Sequence, residues 1–173
     1  MKSNKTSWLT KTSLMIALLI VLQTVTKAFG QIVTGSCVNT VLAVSVLISG
    51  LSSGITVALL SPFFAFLLGI GPQLFPLTPA IAAGNYVFVC ALYLICKKDF
   101  SVLRSSVACI VSSFAKFITL NLLIVQLLCP LLDLPEKQVN MFSTMFSWPQ
   151  LITALIGSAV ALIVVPRIKF LIK

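Results

Sequence analysis

The sequence predicts an all-α integral membrane protein: a compact bundle of six transmembrane helices, both termini cytoplasmic, forming one domain over residues 1–173. Three observations carry that reading. Hydrophobic residues make up 59% and charged residues only 9% of 173 positions, with a mean hydropathy of +1.14, whereas soluble domains carry about 25% charged residues. The apolar residues gather into six runs, each close to the roughly 17–25 residues that a bilayer demands of a helix. The basic residues sit at the ends of those runs and are shared unevenly between the two sides.

The first span covers residues 8–26, behind Lys2, Lys5 and Lys11, and the second covers 32–49. A minimal break at Gly50-Leu51-Ser52-Ser53-Gly54 leads into the third, 54–70. The segment Gly71-Pro72-Gln73-Leu74-Phe75-Pro76-Leu77-Thr78-Pro79 reads as a loop, because each of its three prolines removes a backbone donor. Pro79 then suits the start of the fourth span, 79–96. Lys97-Lys98-Asp99 is expected to turn the chain into the fifth span, 102–128, and residues 129–147 are expected to be the longest loop. The sixth span is 148–165. Unbroken apolar runs favour helices over the alternating strands of a barrel.

Lysine and arginine fix the expected orientation. Lys2, Lys5, Lys11, Lys97, Lys98, Arg104, Arg167, Lys169 and Lys173 fall on one side, against Lys27 and Lys137 on the other. The richer side, holding both termini, is expected to face the cytoplasm. A cleaved signal peptide ending near Ala28-Phe29-Gly30 is the rival reading of the N-terminus; Lys27 just before that triplet and the odd span count left behind speak against it. The net charge of +9 forms no basic stripe interleaved with aromatics, so no nucleic-acid partner is expected.

Lys116 is the one charge inside a span, near the middle of the fifth. A lysine at the bilayer centre costs about 2.5–3.5 kcal/mol on insertion scales, so it should face protein or a water-filled cavity. The nearest interface is roughly 17 Å away at 1.5 Å per residue, too far for easy snorkelling. No Asp or Glu lies within a span to neutralise it, which points to a site for something anionic or strongly polar.

Other polar residues cluster at the mid-to-outer level: Asn39 in span two, Asn85 in span four, and Gln150 with Thr153 in the first turns of span six. On span five, Lys116, Thr119, Leu123 and Gln126 follow i, i+3, i+7, i+10 spacing and are expected to share a face. Gln73 lies in the proline-rich outer loop. These positions suggest a polar pocket open to the outside, although a lone membrane amide as often bonds a neighbouring helix. Trp148 and Phe75 are placed to act either as interface anchors or as walls of that pocket. Thr34 and Ser36 read as capping or packing groups.

Five cysteines (Cys37, Cys90, Cys96, Cys109, Cys129) form no CxxC pair and read as small apolar residues. Histidine is absent. Without histidine or intramembrane carboxylates, neither a metal site nor a general base of the usual kinds is expected, and the chain reads as a non-enzyme needing no cofactor. A self-sufficient secondary transporter is the main alternative in another class. It would need a coupling-ion site and inverted repeats, and neither is visible. Small-xxx-small steps occur at Ser13/Ala17, Ala80/Gly84 and Gly157/Ala161; the Gly50/Gly54 step straddles a turn, where a turning role is expected.

Together the size, the six spans and their basic ends resemble the substrate-binding S component of energy-coupling factor (ECF) vitamin transporters. Locally, Thr34-Gly35-Ser36-Cys37-Val38-Asn39, Ser147-Trp148-Pro149-Gln150-Leu151-Ile152-Thr153-Ala154-Leu155-Ile156-Gly157 and Pro166-Arg167-Ile168-Lys169 are similar to segments of small members of that group. The resemblance implies a subunit of a prokaryotic plasma membrane that captures a water-soluble vitamin or related micronutrient from outside. It implies delivery inward with a transmembrane T subunit and two ABC ATPases. Ser13 and Ala17 would match the family's Ala-x-x-x-Ala docking step for the T subunit, with serine at the first position. No Gly-x-x-x-x-Gly-Lys-Ser/Thr loop is present, which fits a subunit that leaves ATP hydrolysis to its partners.

Overall fold

The computed structural model describes residues 2–96 and 102–172. Among these the chain is helical, with no strand: α1 (Lys2–Thr26), α2 (Gly30–Ser49), α3 (Leu51–Leu67), α4 (Leu77–Cys96), α5 (Val102–Leu120), α6 (Cys129–Leu131), α7 (Glu136–Met145) and α8 (Trp148–Ile172). Helix is the natural answer to this composition, because hydrocarbon offers no partner to backbone N–H and C=O groups. The helical stretches Lys5–Ser49, Leu77–Cys96, Leu103–Leu131 and Glu136–Phe170 are long and apolar enough to cross a membrane; Leu51–Leu67 is shorter but also apolar. Leucines such as Leu14, Leu94, Leu103 and Leu131 point outward, as they would toward lipid. The turn expected at Lys97-Lys98-Asp99, and with it Lys97, Lys98 and Lys173 of the basic count, lies outside the described residues.

The 45-residue stretch Lys5–Ser49 folds back on itself. Thr34 Oγ1 donates to Thr26 O across 2.8 Å, whereas eight residues of straight helix would hold them about 12 Å apart. The reversal uses a 3₁₀ turn at Lys27–Phe29 and Gly30 at φ 82°, ψ 178°. Gly50, at φ 89° and ψ 175°, separates α2 from α3 in the same way. This backbone region is essentially open only to glycine.

Interhelical contacts set the arrangement. Thr12 bonds Ser53 (2.9 Å) and Gln23 bonds the carbonyl of Ser61 (3.4 Å), so α1 and α3 run parallel. Gly54 sits against Val89 while Asn85 reaches Ala58, so α3 and α4 run antiparallel. The most extensive interface joins α2 to α8. There Gly35 faces Thr153 and Gly157 faces Asn39 and Ser36, making the two helices parallel. Gly84 fits against Leu120. The small-xxx-small steps of spans four and six, and Gly54, are therefore used for packing inside the molecule. Gly50 has the expected turning role, but Gly54 packs between helices.

Three expectations are corrected. Residues 129–147 are not simply a loop: they hold α6 and the ten-residue α7. Pro135 precedes α7, Glu136 occupies its first turn, and Phe142 and Phe146 are buried in a cluster with Leu77, Leu120, Ile124 and Cys129. The fifth span is not one uniform α-helix, because Asn121–Leu128 is π-helical. The sixth helix continues beyond 165, through Pro166 to Ile172.

Candidate functional site

The helices line a partly open cavity of about 410 Å³. Its lining comes from the end of α1 (Gln23), Lys27 of the 3₁₀ turn, the first half of α2 (Gln31, Thr34, Asn39), the end of α3 with the following loop (Ser61, Pro62, Phe66, Gly71), the first half of α4 (Thr78, Asn85), Lys116 of α5, and Met145, Phe146 and Gln150 where α7 meets α8. The size is within the range of small-molecule sites, roughly 300–1,000 Å³.

Lys116 forms its floor. The side chain is 3% exposed, and its ammonium donates to Asn39 Oδ1 (2.6 Å) and Asn85 Oδ1 (2.7 Å) while lying 5.5 Å from the centre of the Phe88 ring. The cation expected to be unpartnered thus has two amide oxygens and an aromatic face, and among the described residues no Asp or Glu lines the cavity.

The orientation of both amides follows from their other partners. Pro62 lies inside α3 and has no N–H, so the Ala58 carbonyl four residues back loses its helical donor. Asn85 Nδ2 approaches that carbonyl at 3.4 Å, which turns Oδ1 toward Lys116. On the other side, the Thr153 hydroxyl donates to Gln150 O (3.1 Å) and so accepts from Asn39 Nδ2 (3.3 Å). That turns Asn39 Oδ1 toward Lys116 as well. One ammonium thereby joins α2, α4 and α5 directly, and α3 and α8 through the two amides.

The rim is built on helix ends. Lys27 Nζ donates to Leu68 O (3.0 Å) at the end of α3, where a cation and the exposed carbonyls suit each other. Gln31 Nε2 donates to Met145 O (2.7 Å) and Gln150 Nε2 reaches the same carbonyl (3.4 Å), tying α7 to the bundle beside the cavity.

Of the expected site residues, Lys116, Asn39, Asn85 and Gln150 come together. Thr119, Gln73 and Trp148 are not among the lining residues. Thr119 bonds its own helix at Ala115 O (2.8 Å), because the buried stripe of this segment is Lys116, Leu120 and Ile124, an i, i+4, i+8 spacing. Gln126 is exposed and bonds Asn121 (3.1 Å). Gln73 is exposed in its loop. Trp148 is 67% exposed and stacks on Phe117 with ring centres 6.0 Å apart. Phe75 packs edge-on against Phe63 and Phe66, and only Phe66 lines the cavity. Thr34 and Ser36 bond backbone carbonyls as packing groups.

Sequence reasoning missed Gln23, Lys27 and Gln31. Each lies near a span end, where polar residues usually mark the interface; only the position of Gln23, a buried amide on α1, could have singled it out. Ser13 and Ala17 are exposed on α1 beside Leu14, Leu18 and Val21, away from the cavity. All five cysteines are free thiols.

No curated protein and no solved structure matches the chain. The family model of the ECF transporter substrate-specific component matches residues 8–169. With nearly the whole chain matched, the protein belongs to the family of ECF transporter substrate-specific components.

Proposed function

We propose that the protein is the capture subunit of an ECF transporter: it takes a water-soluble vitamin or related micronutrient from outside the cell into the cavity floored by Lys116. A T subunit and two ABC ATPases then drive delivery inward. In this reading α1, α2, α3, α4, α5 with its π-helical extension, and α8 are the six crossings of a single domain in a prokaryotic plasma membrane. Both termini are cytoplasmic, and the cavity opens outward. The subunit itself is non-catalytic. Ser13 and Ala17, on the exposed face of α1, are the proposed contact with the T subunit.

The observation that carries the reading is the charge of the cavity: Lys27 and Lys116 line it, and no acid does among the described residues. A ligand with a carboxylate or another electron-rich acceptor offsets the buried ammonium, because an opposite charge in a site of low dielectric interacts strongly. A cationic vitamin such as thiamin finds no complementary group. Lys116→Met in the purified protein should weaken binding of the best-bound vitamin by at least tenfold in isothermal titration. Equal affinity in variant and wild type would remove Lys116 from the site.

A further inference from the structure

Among the described residues, Gln23 Oε1 is the one fully buried side-chain polar atom of a cavity-lining residue that has no hydrogen-bond partner. The residue is 2% exposed and lines the cavity. Its Nε2 donates to Ser61 O (3.4 Å). A carbonyl only accepts, so the nitrogen must face Ser61 and the assignment of the amide is fixed; Oε1 is left as a pure acceptor. Among the described residues nothing donates to that buried Oε1, and a buried acceptor without a partner costs about 1–3 kcal/mol. The other amides behave differently: Asn39 and Asn85 spend their oxygens on Lys116.

We infer that Gln23 is a specificity residue, whose Oε1 accepts a hydrogen bond from an N–H or O–H group of the captured solute. The inference rests on the proposed capture role of this cavity and narrows its substrate class. The solute carries an acceptor, anionic or electron-rich, for Lys116. It also carries a donor for Gln23, and an apolar body suited to Pro62, Phe66 and Phe146 between. A site built around a hydrogen-bonding group rejects analogues lacking the complementary group far more strongly than an apolar wall rejects a missing methylene. Gln23 is thus placed to separate a solute from its N- or O-methylated relative.

The test uses the full chain purified in detergent. A panel of water-soluble vitamins (pantothenate, folate, nicotinate, biotin, riboflavin, pyridoxal and thiamin) is screened by thermal shift. The compound that stabilises the protein most is then titrated calorimetrically into wild type, Gln23→Leu, Gln23→Met and Lys116→Met. The expected result is at least a tenfold loss of affinity in both Gln23 variants. The same compound with its donor methylated should bind wild type at least tenfold more weakly, and this penalty should shrink in the Gln23 variants. Binding lost in Lys116→Met but unchanged in Gln23→Leu and Gln23→Met overturns the role of Gln23 and leaves the capture reading standing. If no vitamin stabilises the wild type, the capture reading falls and the inference falls with it. Should both Gln23 variants fail to fold, the methylated compound on wild type decides: undiminished binding overturns the inference.

Discussion

Pro62 and Asn85 are complementary across the α3–α4 interface. The proline ring deprives Ala58 O of its helical donor, and the Asn85 carboxamide approaches that carbonyl at 3.4 Å. Asn85 is thereby held with its oxygen 2.7 Å from the Lys116 ammonium. A helix defect on α3 thus orients a group at the floor of the cavity.

Pro62→Ala should separate stability from recognition. Restoring the missing backbone bond removes a helix penalty of up to about 3 kcal/mol, so the melting temperature of the purified protein should rise. The same change frees the Asn85 amide to rotate, and affinity for the best-bound vitamin should fall several-fold. A rise in both quantities would contradict the linkage.

The glycines at the helix contacts should differ in their tolerance of one added carbon. At Gly157 a Cβ would lie 2.5 Å from Asn39 Cβ and 2.8 Å from the carbonyl oxygen of Ser36, whereas at Gly84 it would meet the side chain of Leu120 at 2.6 Å. Backbone cannot give way, but the tip of a leucine can rotate. Gly157→Ala should therefore destabilise by about 1–3 kcal/mol or more, the range of overpacked cores, and Gly84→Ala by less. Thermal melting of the two variants side by side measures the difference.

Trp148→Ala, Gln73→Ala and Thr119→Val should bind the solute as wild type does, within about twofold, because none of the three lines the cavity. Trp148→Ala should still lower the melting temperature slightly, since a stacked aromatic pair is worth about 0.5–1.5 kcal/mol beyond its buried area. A tenfold loss of affinity in any of them would place the ligand elsewhere.

Orientation can be read by labelling. In a cysteine-free background, Lys137→Cys on α7 and Lys11→Cys on α1 present single exposed thiols. A membrane-impermeant maleimide should modify the first in intact cells and the second only after permeabilisation. The reverse pattern would invert the topology.

The all-helical class was legible because a bilayer imposes long apolar helices; the predicted runs overlap the helices, although the fifth changes winding at Asn121 and the last continues to Ile172. That Lys116, Asn39, Asn85 and Gln150 come together around one cavity was legible because polar groups inside apolar runs need partners. Thr119, still within regular α-helix, misled because the buried face runs i, i+4 from Lys116 and not i, i+3; Gln126 misled because the i+10 position assumes uniform α-helical turns. Lys116, Leu120 and Ile124 form the buried stripe instead, and beyond Leu120 the chain winds as a π-helix with i→i+5 bonds, which rotates later residues off the expected face. α7 was hidden by its polarity and its ten residues, too short for a span. Gln23 and Lys27 were hidden by their place near a span end, and only the fold brings them to the cavity.

The parallel pairing of α2 with α8 has a consequence for how the protein is made. Asn39 and Thr153 are 114 residues apart in the chain, and Asn39 and Lys116 are 77 apart. Helices enter the membrane in the order of synthesis, so α2 waits for α5 and then α8 before its asparagine is fully partnered and the groove at Gly35 is filled. The cavity is therefore complete only once α8, with Gln150, is in place. A nascent chain stalled before α8 leaves the polar edge of α2 open to whichever neighbouring helix or quality-control factor meets it first.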